Sequence, residues 1–258
     1  MDYSTPIKCA GCKDGAAFTT KLLTAFQPIY DLNDGSVFAY EALVRGEGGK
    51  DAAEVLALVD DESRYAFDQA CRVAAIEHAV AAGLLDTGAR LSINFMPNAV
   101  YSPLACIQLT LKTARSVGLA EDRLIFEFTE NERLDIEHVA RIVAAYRSLG
   151  FSTAIDDFGA GYSGLNLLAN LDTDLVKLDM ELIRGIESSE PRRQIVRAMV
   201  RLCAEMGRQV IAEGIETHGE LAALRAMGVH LVQGYLLARP TLGFLAPPLS
   251  HQALGLAC

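Results

Sequence analysis

Apolar runs of strand length recur along this chain, and most are separated by stretches with amphipathic-helix periodicity. Residues 26–30 and 37–43 read as two strands joined through Asn33-Asp34-Gly35, a tight-turn signal, and so predict a hairpin. Six further short strands are predicted at 91–95, 124–128, 152–156, 175–179, 210–213 and 231–234. Helical patterning covers 51–59, 65–82, 136–149, 194–206 and 220–227. Repeated strand-helix units imply parallel strands with right-handed crossovers. Eight strands in 258 residues predict a closed TIM-like (β/α)8 barrel, the opening hairpin making one strand antiparallel. A doubly wound open sheet is the alternative fold. With no linker-like run of Gly, Ser or Pro to divide the chain, the expected organisation is a polar, flexible tail over residues 1–20, one domain over 21–245 and a C-terminal tail over 246–258.

The polar positions that interrupt this pattern fall at the strand ends. The string Thr153-Ala154-Ile155-Asp156-Asp157-Phe158-Gly159-Ala160-Gly161 sets two adjacent acids at the exit of an apolar strand. Carboxylates are costly to bury there unless something positive lies between them. Alone, such a pair also reads as the cap of a turn and of the next helix. The pattern recurs, however: Glu41, Asn94, Glu127, Lys177, Glu213 and Gln233 stand at the ends of other predicted strands. In a β/α barrel these ends share one rim, where active sites form. Several carboxylates facing one mouth repel unless cations intervene. The donors are oxygen, with no His or Cys among them, which favours Mg²⁺ or Mn²⁺ over zinc or copper. Two adjacent acids cannot point the same way in a regular strand. Where the backbone turns at a strand end, one can bridge two ions while the other serves the second, as in two-metal hydrolytic sites with ions ~3.5–4 Å apart.

Composition narrows the partners. The formal net charge of −10 argues against a groove for a nucleic-acid polymer but leaves room for a small polyanion at a metal cluster. No apolar signal region opens the chain, and no run approaches the ~20 apolar residues of a membrane span. A cytoplasmic protein is expected. Of six cysteines, Cys71, Cys106 and Cys203 fall in helical patterns and read as buried thiols. Cys9 and Cys12 form a lone C-x-x-C with no second pair at zinc-binding spacing, so a flexible tail is the plainer reading.

Glu41-Ala42-Leu43-Val44-Arg45 resembles the signature of the EAL-domain cyclic di-GMP phosphodiesterases, and further segments follow in that family's order. Phe26-Gln27-Pro28-Ile29 is similar to its opening strand, Ser92-Ile93-Asn94-Phe95 to its asparagine strand and Glu127-Phe128-Thr129-Glu130 to its E-x-T-E segment. Asp156-Asp157-Phe158-Gly159, Lys177-Leu178-Asp179, Glu213-Gly214-Ile215-Glu216 and Gln233-Gly234-Tyr235 complete the set. The resemblance implies two ions, Mg²⁺ or Mn²⁺. Glu41, Asn94, Glu127 and Asp156 would hold the first; Asp156, Asp157 and Glu213 would hold the second, Glu213 through water. It implies that Lys177 orients or deprotonates the attacking water, that Arg45 clamps a phosphate, and that Gln27, Leu43, Asp179 and Gln233 line the substrate. Glu130 resembles the loop-ordering glutamate of the family; its plainer reading is an acid near a helix N-terminus. Ala160, Val44 and Ile215 depart from commoner Thr, Leu and Val, and none of them is a ligand position.

The function expected from the resemblance is hydrolysis of cyclic di-GMP to linear pGpG. A silent cyclic di-GMP receptor or partner-binding module is the first rival, and another metal-dependent barrel enzyme of aldolase or enolase type the second. A homodimer is also implied, coupled through the loop after Asp157 with its Gly159, Gly161 and Gly164 and through a helix over residues 163–169. Family members are often fused to sensory or cyclase domains, and none is expected within this chain.

Overall fold

The computed structural model describes residues 18–129, 134–161 and 164–250. The N-terminal pair Cys9 and Cys12 therefore lies outside the described residues, as do Glu130 and Ser163. Strands β1 (Leu22–Asp31) and β2 (Val37–Gly46) form the antiparallel hairpin, whose turn closes with the Gly35 amide donating to the Asp31 carbonyl at 2.8 Å. Strands β3 (Arg90–Asn94), β4 (Leu124–Thr129), β5 (Ser152–Phe158), β6 (Leu175–Leu178), β7 (Gln209–Ala212) and β8 (Leu231–Val232) follow, each parallel to its predecessor, with β3 parallel to β2. Strand β8 then pairs antiparallel with β1 through Tyr30 and Val232. Both edges of β1 are thereby engaged and the sheet is a closed eight-stranded barrel, not an open one. A short β9 (Thr241–Leu242), too brief and too exposed to leave an apolar run in the sequence, pairs with β1 at Ala25 and Phe26.

Boundaries differ from expectation where the backbone has other partners. Strand β6 stops at Leu178 because Asp179 leaves the sheet to cap the helix Met180–Ile183, its carboxylate accepting from the Glu181 amide at 2.8 Å. Strands β7 and β8 stop before Glu213 and Gln233, although the amides of both residues still donate to the neighbouring strand, to the Leu178 and Ala212 carbonyls. The helix expected over 51–59 is shorter, Ala52–Leu56, begun by a capping box between Asp51 and Glu54. That expected over 194–206 starts earlier, at Glu190, with a proline in its first turn, a position where the missing amide costs nothing. Beyond the barrel, Tyr40 and Tyr30 donate from their hydroxyls to the carbonyls of Ala246 and Pro247.

The strand period of two sorts the barrel interior into layers. Ile29, Ala39, Ile125, Ala154, Leu175, Ile211 and Leu231 form a cluster of their own, one residue from every barrel strand except β3, and all are wholly buried. Side chains alternate along a strand, so the residue two positions further toward the parallel strands' C-terminal ends shares that inward face. On β2 and β4 to β8 those residues are Glu41, Glu127, Asp156, Lys177, Glu213 and Gln233. On antiparallel β1 the matching residue lies two positions back, at Gln27. On β3, Ser92 and Asn94 share one face. An apolar floor thus carries a polar layer. Outside the barrel, Phe95, Phe126, Tyr146 and Phe151 pack ring against ring under the helices, with centroids 4.9–6.1 Å apart. Among the described residues no helix is long and apolar enough to cross a membrane, and Cys71, Cys106 and Cys203 are free thiols.

The floor should be intolerant of voids, because strands on all sides prevent its collapse. Ile125→Ala is expected to cost ~2–5 kcal/mol, read as a lowered urea midpoint at unchanged slope. A loss below ~1 kcal/mol would show that the floor relaxes freely.

Candidate active site

The polar layer gathers around one ammonium group. Lys177, 1% exposed, places Nζ 2.7 Å from Glu213 Oε1, 2.9 Å from both Glu127 Oε2 and Asp156 Oδ1, and 3.5 Å from Glu41 Oε2. Glu41 also accepts from Asn94 Nδ2 at 3.1 Å and from Gln233 Nε2 at 2.8 Å. Glu127 accepts from the hydroxyl of Ser92 as well as from Lys177. Ser92 did not stand out in the sequence; its signal was its place two residues before Asn94 on the inward face of β3. Burial by itself lowers the Lys177 pKa, but the four surrounding carboxylates overcome it and hold the ammonium well above its ordinary range. Burial also pushes Glu127, Asp156 and Glu213 upward against the pull of Lys177. Glu41 is the exception: burial is opposed by Lys177, Gln233 and Asn94, and the net direction is down.

Asp157 reaches the same cluster by a different route. Strand β5 continues to Phe158, so the reorientation expected at the strand end occurs inside the strand instead. The register with β6 slips between Ile155 and Phe158, and Asp157 sits at φ 53°, the one non-glycine residue with positive φ among the described residues. Such a bulge turns one residue out of the strict alternation, and the left-handed conformation there is unfavourable for a residue with a Cβ. As a result Asp156 and Asp157 both present carboxylates to one site. Two triads of oxygen atoms emerge, Glu41-Glu127-Asp156 and Asp156-Asp157-Glu213, each with its atoms within 4.8 Å of one another and with Asp156 common to both. Four carboxylates contact one ammonium and Asp157 adds a fifth to the cluster, all donors are hard oxygens, and the Asn94 amide adjoins the first triad. This donor set fits divalent cations.

Glycines hold the rim together from behind. Gly214 (φ 65°) and Gly234 follow Glu213 and Gln233 directly; a Cβ on the first would lie 2.3 Å from that of Met180, and on the second 2.2 Å from the Ile215 carbonyl oxygen. Side chains at these positions would force apart the loops that carry Glu213 and Gln233.

Beside the triads opens a cleft of about 260 Å³ lined by Gln27, Glu41, Asp157, Asp179, Glu213 and Gln233, with Glu216 and Tyr235 at its margin. Tyr235 is half exposed and carries the Arg239 guanidinium 4.4 Å from its ring centroid; sequence reasoning did not assign either residue. Two expected substrate contacts lie elsewhere. Leu43 lines a separate apolar cavity of about 280 Å³, which Asn94 and Thr129 also border. Arg45 is outside the cleft lining, and its guanidinium donates to the Val44 carbonyl at 2.8 Å. Glu130 falls outside the described residues.

Residues 16–240 match the EAL domain family. The fold is similar to that of a standalone versatile EAL protein from Vibrio cholerae O395 in its c-di-GMP bound form, at 46% identity and TM-score 0.86 over 90% of this chain and 97% of that one. It is also similar to the manganese/cy-diGMP complex of Klebsiella pneumoniae BlrP1 at pH 9.0, at 34% identity and TM-score 0.81 over 89% of this chain and 58% of that one. Among sequences, the Cyclic di-GMP phosphodiesterase NbdA of Pseudomonas aeruginosa is 33% identical over 226 residues, 83% of this chain and 28% of that protein. The chain spans about half the length, or less, of the curated relatives it matches.

Protons and cations compete for these carboxylates, which sets a pH dependence. Burial, with Asp156 adding to it, raises Asp157 from 3.8 to about 6. Its folded form therefore binds the proton more tightly than the unfolded chain does. The cost of holding it ionised is absent below its unfolded pKa and complete above about 6. Glu213 and Glu127 shift in the same direction. In EDTA the melting temperature of Asp157→Asn should exceed that of the parent by more at pH 7 than at pH 4. Added Mn²⁺ should raise it more at pH 7 than at pH 5. An identical pH slope in the variant, or a Mn²⁺ increment independent of pH, would contradict this electrostatic account.

Proposed function

The chain belongs to the EAL-domain family, and from that premise and its paired carboxylate triads we propose that it is a phosphodiesterase that opens cyclic di-GMP to linear pGpG. The observation that carries the reading is the sharing of Asp156 between two oxygen-donor triads beside a cleft. Relatives named or crystallised with cyclic di-GMP, one of them with manganese, support the substrate and the metal class.

Glu41, Asn94, Glu127 and Asp156 would hold one Mg²⁺ or Mn²⁺, and Asp156, Asp157 and Glu213 the other. The ions supply Lewis acidity, lowering the pKa of water and polarising the phosphoryl group. The chain's own residues do the positioning. Lys177, ringed by the carboxylates that would hold the ions, stands where it would orient or deprotonate the attacking water. Gln233 and Asn94, each donating to one oxygen of Glu41, fix that carboxylate's plane. Gln27 and Asp179 border the cleft in which the dinucleotide would lie. Arg45 would clamp a phosphate, a charge-assisted contact, through guanidinium N–H groups other than the one that donates to the Val44 carbonyl. The reading includes a homodimer coupled through the loop after Asp157, with Glu130 ordering that loop.

Asp157→Asn is expected to lower kcat about a thousandfold, ~4 kcal/mol on the barrier, in a protein whose circular dichroism is unchanged and which still binds cyclic di-GMP. If Asp157 served only as a turn cap, asparagine would replace it almost without cost. Wild-type turnover at saturating Mg²⁺ would therefore overturn the assignment.

Replacing Mg²⁺ by Ca²⁺, which is larger and coordinates more loosely, should preserve cyclic di-GMP binding in calorimetry and suppress pGpG formation in chromatography. Equal turnover with both ions would defeat a mechanism that depends on acidified water.

A further inference from the structure

Two charges lie outside the polar layer in a place where apolar side chains would ordinarily serve. Asp68 and Arg72, one turn apart on the helix Arg64–Ala81, are 3% and 0% exposed, with Nη2 of the arginine 2.7 Å from Oδ2 of the aspartate. The guanidinium also donates to the Tyr146 hydroxyl at 2.8 Å, and its carbon stands 5.3, 5.5 and 5.9 Å from the ring centroids of Phe95, Phe126 and Tyr146. Burying such a pair is no more stabilising, as a rule, than filling the same space with hydrocarbon. Stability alone does not account for it.

The other carboxylate oxygen supplies a reason. Asp68 Oδ1 accepts from the backbone amide of Met96 at 2.9 Å. Met96 stands two residues after Asn94, where the chain has left β3 and is about to turn through Pro97–Ala99. The residue between them, Phe95, donates its amide to the Glu127 carbonyl at 2.9 Å. The exit of β3 is thus held from two sides, by β4 and by a helix carboxylate standing in for a further strand. Asn94 paired with Glu127 lies at the start of that clamped segment, and its amide is the one that donates to Glu41. Arg72 opposes the burial that pushes the Asp68 carboxyl upward and aims it, while contacts with Phe95 and Phe126 set the guanidinium against the segments that bear Asn94 and Glu127.

We infer that Asp68, held by Arg72, is a positioning residue for the first cation site: it clamps the backbone beyond β3 so that Asn94 and Glu127 meet Glu41 in ligating register. The inference rests on the cation-dependent reading above. Outer partners of this kind orient ligands in other metal sites and change affinity when lost.

The test compares two charge-free pairs that differ in one acceptor. Asp68→Asn with Arg72→Met removes both charges and retains an oxygen for the Met96 amide. Asp68→Leu with Arg72→Met removes the oxygen as well. Mn²⁺ alone is titrated by calorimetry into the parent and both double variants, with melting temperatures and steady-state kinetics alongside. The asparagine pair should bind Mn²⁺ within about threefold of the parent. The leucine pair should bind it at least tenfold more weakly, with kcat lowered and KM for cyclic di-GMP little changed. If the leucine pair does not fold, Asp68→Ala with Arg72→Met supplies the same contrast. Equal Mn²⁺ affinities in the two double variants would overturn the inference and leave the pair a packing element. Failure of the parent itself to take up Mn²⁺ would instead defeat the cation-dependent reading, and the inference with it.

Discussion

Lys177 is the charge on which the interior of this barrel depends. Four carboxylates lie within 3.5 Å of its ammonium, inside a closed sheet where water cannot screen their repulsion. Without an internal cation, Glu41, Glu127, Asp156 and Glu213 would be driven to take up protons, as burial already pushes three of them to do. With it, they stay gathered and partly ionised. The arrangement remains over-supplied with negative charge, since Asp157 joins the cluster at its margin. That surplus is the physical basis for assigning the site to divalent cations.

The barrel makes this cluster feasible by separating two tasks along each strand. On every barrel strand except β3 one inward position builds an apolar floor from Ile, Leu and Ala, and the next inward position carries a functional group. The floor excludes water beneath the polar layer, while the larger apolar cluster of strand and helix residues supplies most of the hydrophobic burial. Gln27 already faces Glu41 across the hairpin, and closure by β8 against the antiparallel β1 is what brings Gln233 round to Glu41. In an open sheet Gln233 would lie at the edge far from Glu41.

Local conformations complete the site where regular structure would not. A β-strand sends successive side chains to opposite faces, so Asp156 and Asp157 share a site only because β5 bulges and Asp157 adopts a left-handed backbone. Strain of that kind persists only when surrounding structure over-determines it. Here the next turn is secured by the Ala160 amide, which donates to the Asp157 carbonyl at 3.0 Å. The Asp68 clamp beyond β3 is a second case: a helix side chain satisfies a backbone amide where the sheet has run out.

The eight barrel strands, the hairpin and its antiparallel strand, and the polar residues at the strand ends were all legible in the chain. Each depends on local periodicity, on turn chemistry or on an ordered set of short motifs, which survive without knowledge of distant contacts. The grouping of Glu41, Asn94, Glu127, Asp156, Asp157 and Glu213 followed from the shared rim of a barrel together with the family resemblance. The tertiary structure decided what depends on pairs far apart in sequence. It set Arg45 against its neighbour's carbonyl and Leu43 in a different cavity, placements that are not written in the five residues Glu41–Arg45. It recruited Ser92 beneath Glu127 and Asp68 behind Asn94, residues whose types carry no signal until the strand or helix that bears them is packed. It also moved the reorientation of Asp157 from a strand end into a bulge. A one-residue slip in register is a property of two strands and not of either sequence alone.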